Sequence, residues 1–125
     1  MKQYKRSDRL SEQIRRDISQ LLERELAEQF RGMVTFTRVK LSDDLRYAKI
    51  FYSYLGVEEN LSLIDDYFKQ KNKQIRSLVG KNLSIRHIPE MTFVFDPSIE
   101  EGIKIERLLN EIKRDNTKET DPEES

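Results

Sequence analysis

The sequence predicts an α+β fold, a small sheet with helices packed on one face. Three observations lead there. Apolar residues near the amino end recur with a helical period. Two strand-like runs follow across a short polar link, and a second helical stretch leads into a third alternating run. The 125 residues fit one domain.

The first element is expected over Asp8 to Gln29. Leu10, Ile14, Ile18, Leu21, Leu22 and Leu26 fall on one face of a 3.6-residue repeat, with Ser7 as cap and Gly32 as stop. Met33 to Leu41 then alternates, and Tyr47 to Leu55 is rich in aromatic and β-favouring side chains. Ser42-Asp43-Asp44 between them suits a turn, and so short a link implies an antiparallel hairpin. After a helical stretch from about Glu59, Met91 to Phe95 alternates cleanly behind Pro89. Ser98-Ile99-Glu100-Glu101 has capping-box spacing, and a last helix with the stripe Ile105, Leu108, Leu109 and Ile112 is expected to end near Arg114. This divides the chain into a domain of residues 1–114 and an acidic tail, 115–125, expected to lack structure.

Composition narrows the function. There is no cysteine, hence no disulfide, no thiolate nucleophile and no cysteine-based metal site. No stretch has the apolar length of a signal peptide core or a membrane span, so a soluble cytoplasmic protein is expected. His87 stands alone, which makes a poor metal site. The glycines at 32, 56, 80 and 102 fit neither a P-loop nor a dinucleotide fingerprint, and no serine sits in a nucleophile elbow. The sequence offers no reactive centre and implies no cofactor. We read it as a non-enzyme.

The 23 basic and 23 acidic residues cancel, but they are unevenly placed. Between Tyr67 and Pro89 stand Lys69, Lys71, Lys73, Arg76, Lys81 and Arg86, with no acid among them. A phosphate backbone responds to such a local patch, whatever the net charge. In a straight helix from Leu61 to Leu83, with about 100° between residues, Lys69, Lys73 and Arg76 form a stripe opposite the apolar face. Lys71 instead falls within that face, beside Asn72. A kink near Gln70 to Lys73 resolves both faces and would aim backbone N–H groups at a phosphate. The other reading is a straight helix with Lys71 at the open edge of the core.

Several stretches together resemble the bacterial ribosome-binding factor A family. They are RSDRLSEQIRRDISQLLEREL, MVTFTRVKLSDDLRYAKIFYSYL, IRSLVGKNLSIRHIPEMTFVFDPSIEEG and IERLL, in that order over about Arg6 to Arg114. The resemblance implies a type II KH-like domain, α-β-β-α-kink-α-β, with an additional C-terminal helix. It implies a cytoplasmic, monomeric assembly factor that binds the 30S subunit through 16S rRNA. Such a factor supports late 16S maturation, including 5′-end processing, especially in the cold. The family builds its kink on small residues, and this chain has Lys71 and Lys73 at those positions. A small protein-interaction module docking through Phe51-Tyr52-Ser53-Tyr54 is the alternative, and a nuclease is disfavoured for want of metal ligands.

Overall fold

Alternation of apolar and polar residues builds a sheet whose buried face carries Val34 and Phe36, then Ala48, Ile50, Tyr52 and Tyr54, then Met91 and Phe93. The computed structural model describes the backbone of residues 6–124 and the side chains of 6–99 and 101–114. Its elements are α1 (Arg6–Phe30), β1 (Gly32–Leu41), β2 (Tyr47–Gly56), α2 (Asn60–Lys81), β3 (Glu90–Phe95) and α3 (Ser98–Glu124). The strands lie in the order β1-β2-β3. The hairpin β1–β2 is antiparallel, and α2 crosses over to bring β3 in parallel beside β2. The α+β class is therefore as expected, with three helices rather than a helix pair joined at a corner.

α1 buries Ile14, Ile18, Leu22, Leu26 and Phe30 against the sheet. Leu21, expected on that face, points to solvent because Leu22 takes the inner position. The helix ends at Arg31, whose φ of 50° is left-handed, so the stop is one residue earlier than Gly32. Its last carbonyl, on Phe30, accepts from Tyr54 Oη at 2.7 Å and from Asn60 Nδ2 at 2.9 Å. Gly32 and Gly56 face each other across the hairpin, and the Tyr54 ring occupies the space a Cβ on either would fill. A register shift between Phe36 and Arg38 is a bulge that turns Val39 and Leu41 inward.

The turn from β1 to β2 is built on Ser42 and Asp44. Ser42 Oγ donates to Asp44 Oδ1 (2.6 Å), which also accepts from the Arg46 N–H (3.1 Å). Those bonds hold the Asp44 carboxyl below its ordinary pKa, the Ser42 hydroxyl first. Leu45 completes the reversal with φ of 61°.

α2 is one continuous helix across Lys71-Asn72-Lys73, which corrects the expected kink. Its buried positions are Ile64, Phe68, Ile75 and Val79, and the position missing from that 3.6-residue series is Asn72. Asn72 is half-buried, and its Nδ2 donates to the Met91 carbonyl at 2.8 Å. The amide thus satisfies a β3 acceptor and keeps the stripe unbroken. Lys71 is exposed on the other rim of the buried stripe, so it needs no kink to reach water.

α3 departs from expectation twice. It stays helical through Glu124 rather than ending near Arg114, as no glycine or proline interrupts it between Gly102 and Pro122. Residues 115–124 of the tail expected to lack structure thus have helical backbone, while Ser125 and the acidic side chains of this stretch lie outside the described residues. Moreover Ile105, Leu108, Leu109 and Ile112 do not pack against the domain: all are more than half exposed. Leu108→Ala is accordingly expected to change unfolding free energy by less than about 0.5 kcal/mol in urea titrations, since little burial is lost. The oxygen serving the start of α3 is Asp96 Oδ1, which accepts from the Ser98 N–H at 3.0 Å, while Asp96 Oδ2 accepts from Thr37 Oγ1 at 3.1 Å. Ser98, the expected cap, is instead the first helical residue.

These bonds, Ser98 foremost, hold the Asp96 carboxyl below its ordinary value of 3.8. A depressed folded pKa stabilises the folded state above the unfolded pKa and loses that contribution as pH falls through the folded value. In melting temperatures measured from pH 5 downward, the acid limb should be shallower for Asp96→Asn than for the parent.

Candidate nucleic-acid interface

The six cations singled out in the sequence do not form one patch. Along α2, at about 100° per residue, Lys69, Lys73 and Arg76 lie on one flank of the buried stripe, while Lys71 and Lys81 lie on the other. Arg86 stands exposed in the link between α2 and β3.

The first flank borders a groove of about 280 Å³ between α2 and β3, lined by Asp65, Phe68, Lys69, Asn72, Met91, Thr92 and Phe93. Lys69 Nζ sits 3.1 Å from Asp65 Oδ2, an exposed i,i+4 pair of little net strength. Lys73 is exposed and in none of the described ion pairs. Arg76 differs from its neighbours. Its Nη2 donates to the Ile88 carbonyl at 2.6 Å and its Nε to the Pro89 carbonyl at 3.0 Å. The guanidinium fastens the link ahead of β3 to α2, so its charge is half-buried and committed. The rim of the groove therefore has two exposed cations, Lys69 in a loose pair with Asp65 and Lys73 outside the described ion pairs.

A second cationic surface went unnoticed in the sequence. On the sheet face away from α1 and α2, Lys40 and Lys49 are directly opposite in the β1–β2 register. Like charges so paired repel, and a bound anion would relieve them. Arg38 lies over the Phe51 ring at 4.2 Å, a cation–π contact beside that pair. The signal was available only once the bulge had set the register.

The aromatic run Phe51-Tyr52-Ser53-Tyr54 is not a docking edge. β2 is the central strand, Tyr52, Ser53 and Tyr54 are buried, and Phe51 is half-covered. Burial, with Asp65 adding to it, pushes the Tyr52 hydroxyl up to about 12, so it stays neutral.

Among the described residues no group of three His, Cys, Asp or Glu side chains could hold a metal ion, and no helix is long and apolar enough to cross a membrane. What the arrangement can do is bind anions along a helix flank and across a sheet face.

The family model for ribosome-binding factor A matches residues 6–109. The chain belongs to the ribosome-binding factor A family. Ribosome-binding factor A of Nitrosomonas europaea is 36% identical over 108 residues, covering 86% of this chain and 92% of that one. The Desulfitobacterium hafniense factor is 40% identical over 114 residues, 91% of each chain. The crystal structure of ribosome-binding factor A from Thermus thermophilus shares the fold, with a TM-score of 0.60 at 15% identity over 73% of this chain and 96% of that one. All six cations lie inside the matched span, and so does the whole sheet. The family match stops within α3, whose last residues lie beyond it.

Proposed function

We propose that this chain is a small-subunit ribosome assembly factor of KH-like fold. It binds the 30S subunit through 16S rRNA as a cytoplasmic monomer and supports late 16S maturation, including 5′-end processing and growth in the cold. It does so by binding rather than by catalysis. The observation that carries this reading is family membership over residues 6–109, joined to exposed cations along α2 and the link that follows it. Lys69, Lys71, Lys73, Lys81 and Arg86 make phosphate contacts, which give affinity and register without reading bases. Arg76 contributes by holding the link in place. Recognition then rests on the shape of a folded rRNA site.

The test is co-sedimentation with 30S subunits at rising salt. With about five phosphates neutralised, the log–log slope of affinity against salt should lie near −3 to −4. A slope near zero would remove phosphate contact as the basis of binding.

A further inference from the structure

Two adjoining clefts occupy the end of the domain where β1 turns into β2, and they share Arg46 and His87. The larger, of about 400 Å³, lies between the first turn of α1, the β1–β2 turn and the link ahead of β3. Each of these three segments, distant in sequence, contributes one arginine to its lining: Arg6, Arg46 and Arg86. None of the three is in a described ion pair. The acid in this cleft is Asp44, whose Oδ1 is already taken by Ser42 Oγ and the Arg46 N–H. Its wall is apolar, with Leu10, Leu45 and Ile85. The smaller cleft, of about 310 Å³, adds Tyr47, which is 57% exposed, with Ile88, Glu90 and the Arg76 already committed to the link.

Three arginines in one lining leave it net positive even with the Asp44 carboxylate offsetting part of the Arg46 charge, and a phosphate there would accept several charge-assisted hydrogen bonds. The apolar wall beside them suits a ribose or base face. Volumes at the low end of small-ligand sites, roughly 300 to 1,000 Å³, admit one nucleotide each and exclude a duplex. Arg46 and His87, common to both clefts, stand where the phosphate joining two such nucleotides would pass. Tyr47 offers a ring for stacking, the usual way a protein holds an unpaired base.

We propose that these paired clefts bind two consecutive unpaired nucleotides of an RNA strand, with Arg6, Arg46 and Arg86 on the phosphates and Tyr47 stacked on a base. This rests on the rRNA reading above and uses a surface distinct from the α2–β3 groove. It assigns to a single-stranded segment a role that the helix flank, a phosphate-contacting surface, does not provide.

The experiment is a titration of the full ¹⁵N-labelled chain with a single-stranded hexaribonucleotide, with a duplex of that length and inorganic phosphate as separate arms. Amide shifts should concentrate at Leu45, Arg46, Tyr47, Ile85 and His87. Arg46→Ala and Arg86→Ala should each weaken the single strand by about tenfold. Both side chains are exposed, so each variant should keep the parent's spectrum elsewhere. Shifts confined to α2 near Lys69 and Lys73, or no shifts, overturn the clefts. Duplex or free phosphate binding as well as the single strand overturns them too. The 30S co-sedimentation is scored independently, so the clefts can fail while the assembly-factor reading stands.

Discussion

Phe68→Ala is expected to lower the unfolding free energy by about 3–5 kcal/mol, the largest effect of any single substitution argued for this chain. Phe68 is 2% exposed and touches every strand of the sheet. Its ring stacks on Phe93 of β3 with centroids 4.2 Å apart and planes 3° from parallel. It meets Tyr52 of β2 at 4.9 Å and Phe36 of β1 at 6.0 Å, and its neighbour Tyr67 at 5.7 Å. Truncation removes the transfer energy of the ring and leaves a cavity walled by rigid aromatics that cannot collapse into it. Aromatic pair geometry adds to that loss, about 0.5–1.5 kcal/mol per pair. Against the roughly 5–15 kcal/mol that holds a domain of this size, such a change removes a large fraction. Urea unfolding checks it: the midpoint should fall with the slope unchanged. A loss below about 1 kcal/mol would mean α2 is not seated on the sheet as described, since exposed sites give changes that small.

The contrast between Phe68 and Leu108 shows what was legible in the sequence. Both belong to apolar helical stripes of equal periodicity, yet one is buried by three strands and the other is exposed. A helical period reports that a face exists; it does not report whether the chain holds a partner for it. The hairpin and its turn were readable because alternation and turn chemistry are local. Asn72 misled for the opposite reason. Its acceptor, the Met91 carbonyl, lies nineteen residues away, so the amide beside Lys71 gave no sign that it completes the stripe, and Lys71 within the apolar face suggested a kink. Phe51 to Tyr54 looked available because aromatic content is visible in a sequence, whereas a central position in the sheet is not. The lysine run was legible as charge. The shared cleft of Arg6, Arg46 and Arg86 was not, because three separate segments must fold before those residues line one site.

Arg76 and Lys73 separate the two meanings of a basic residue on one helix flank. In the sequence the two read alike, as cations of one stripe, and the structure divides them. Arg76→Glu should lower the unfolding free energy by about 2–4 kcal/mol, because it removes two charge-assisted hydrogen bonds. It also sets a carboxylate against the Ile88 and Pro89 carbonyls that Arg76 now serves. The link bearing Arg86 and His87 would lose its tie to α2, so weaker RNA binding by this variant would mix a loss of charge with a loss of structure. Lys73→Glu isolates the charge. Lys73 is exposed and has no described partner, so stability should move by less than about 0.5 kcal/mol. Affinity for 30S subunits at low salt should still fall about tenfold, corresponding to about 1.4 kcal/mol. Combining it with Lys69→Glu should deepen the loss and flatten the salt slope, by about 0.7 for each phosphate contact removed. Thermal melting and co-sedimentation on the same preparations decide the matter. Unchanged melting in Arg76→Glu would refute its role as a fastener. Unchanged binding in the double lysine variant would move the rRNA contact off this flank.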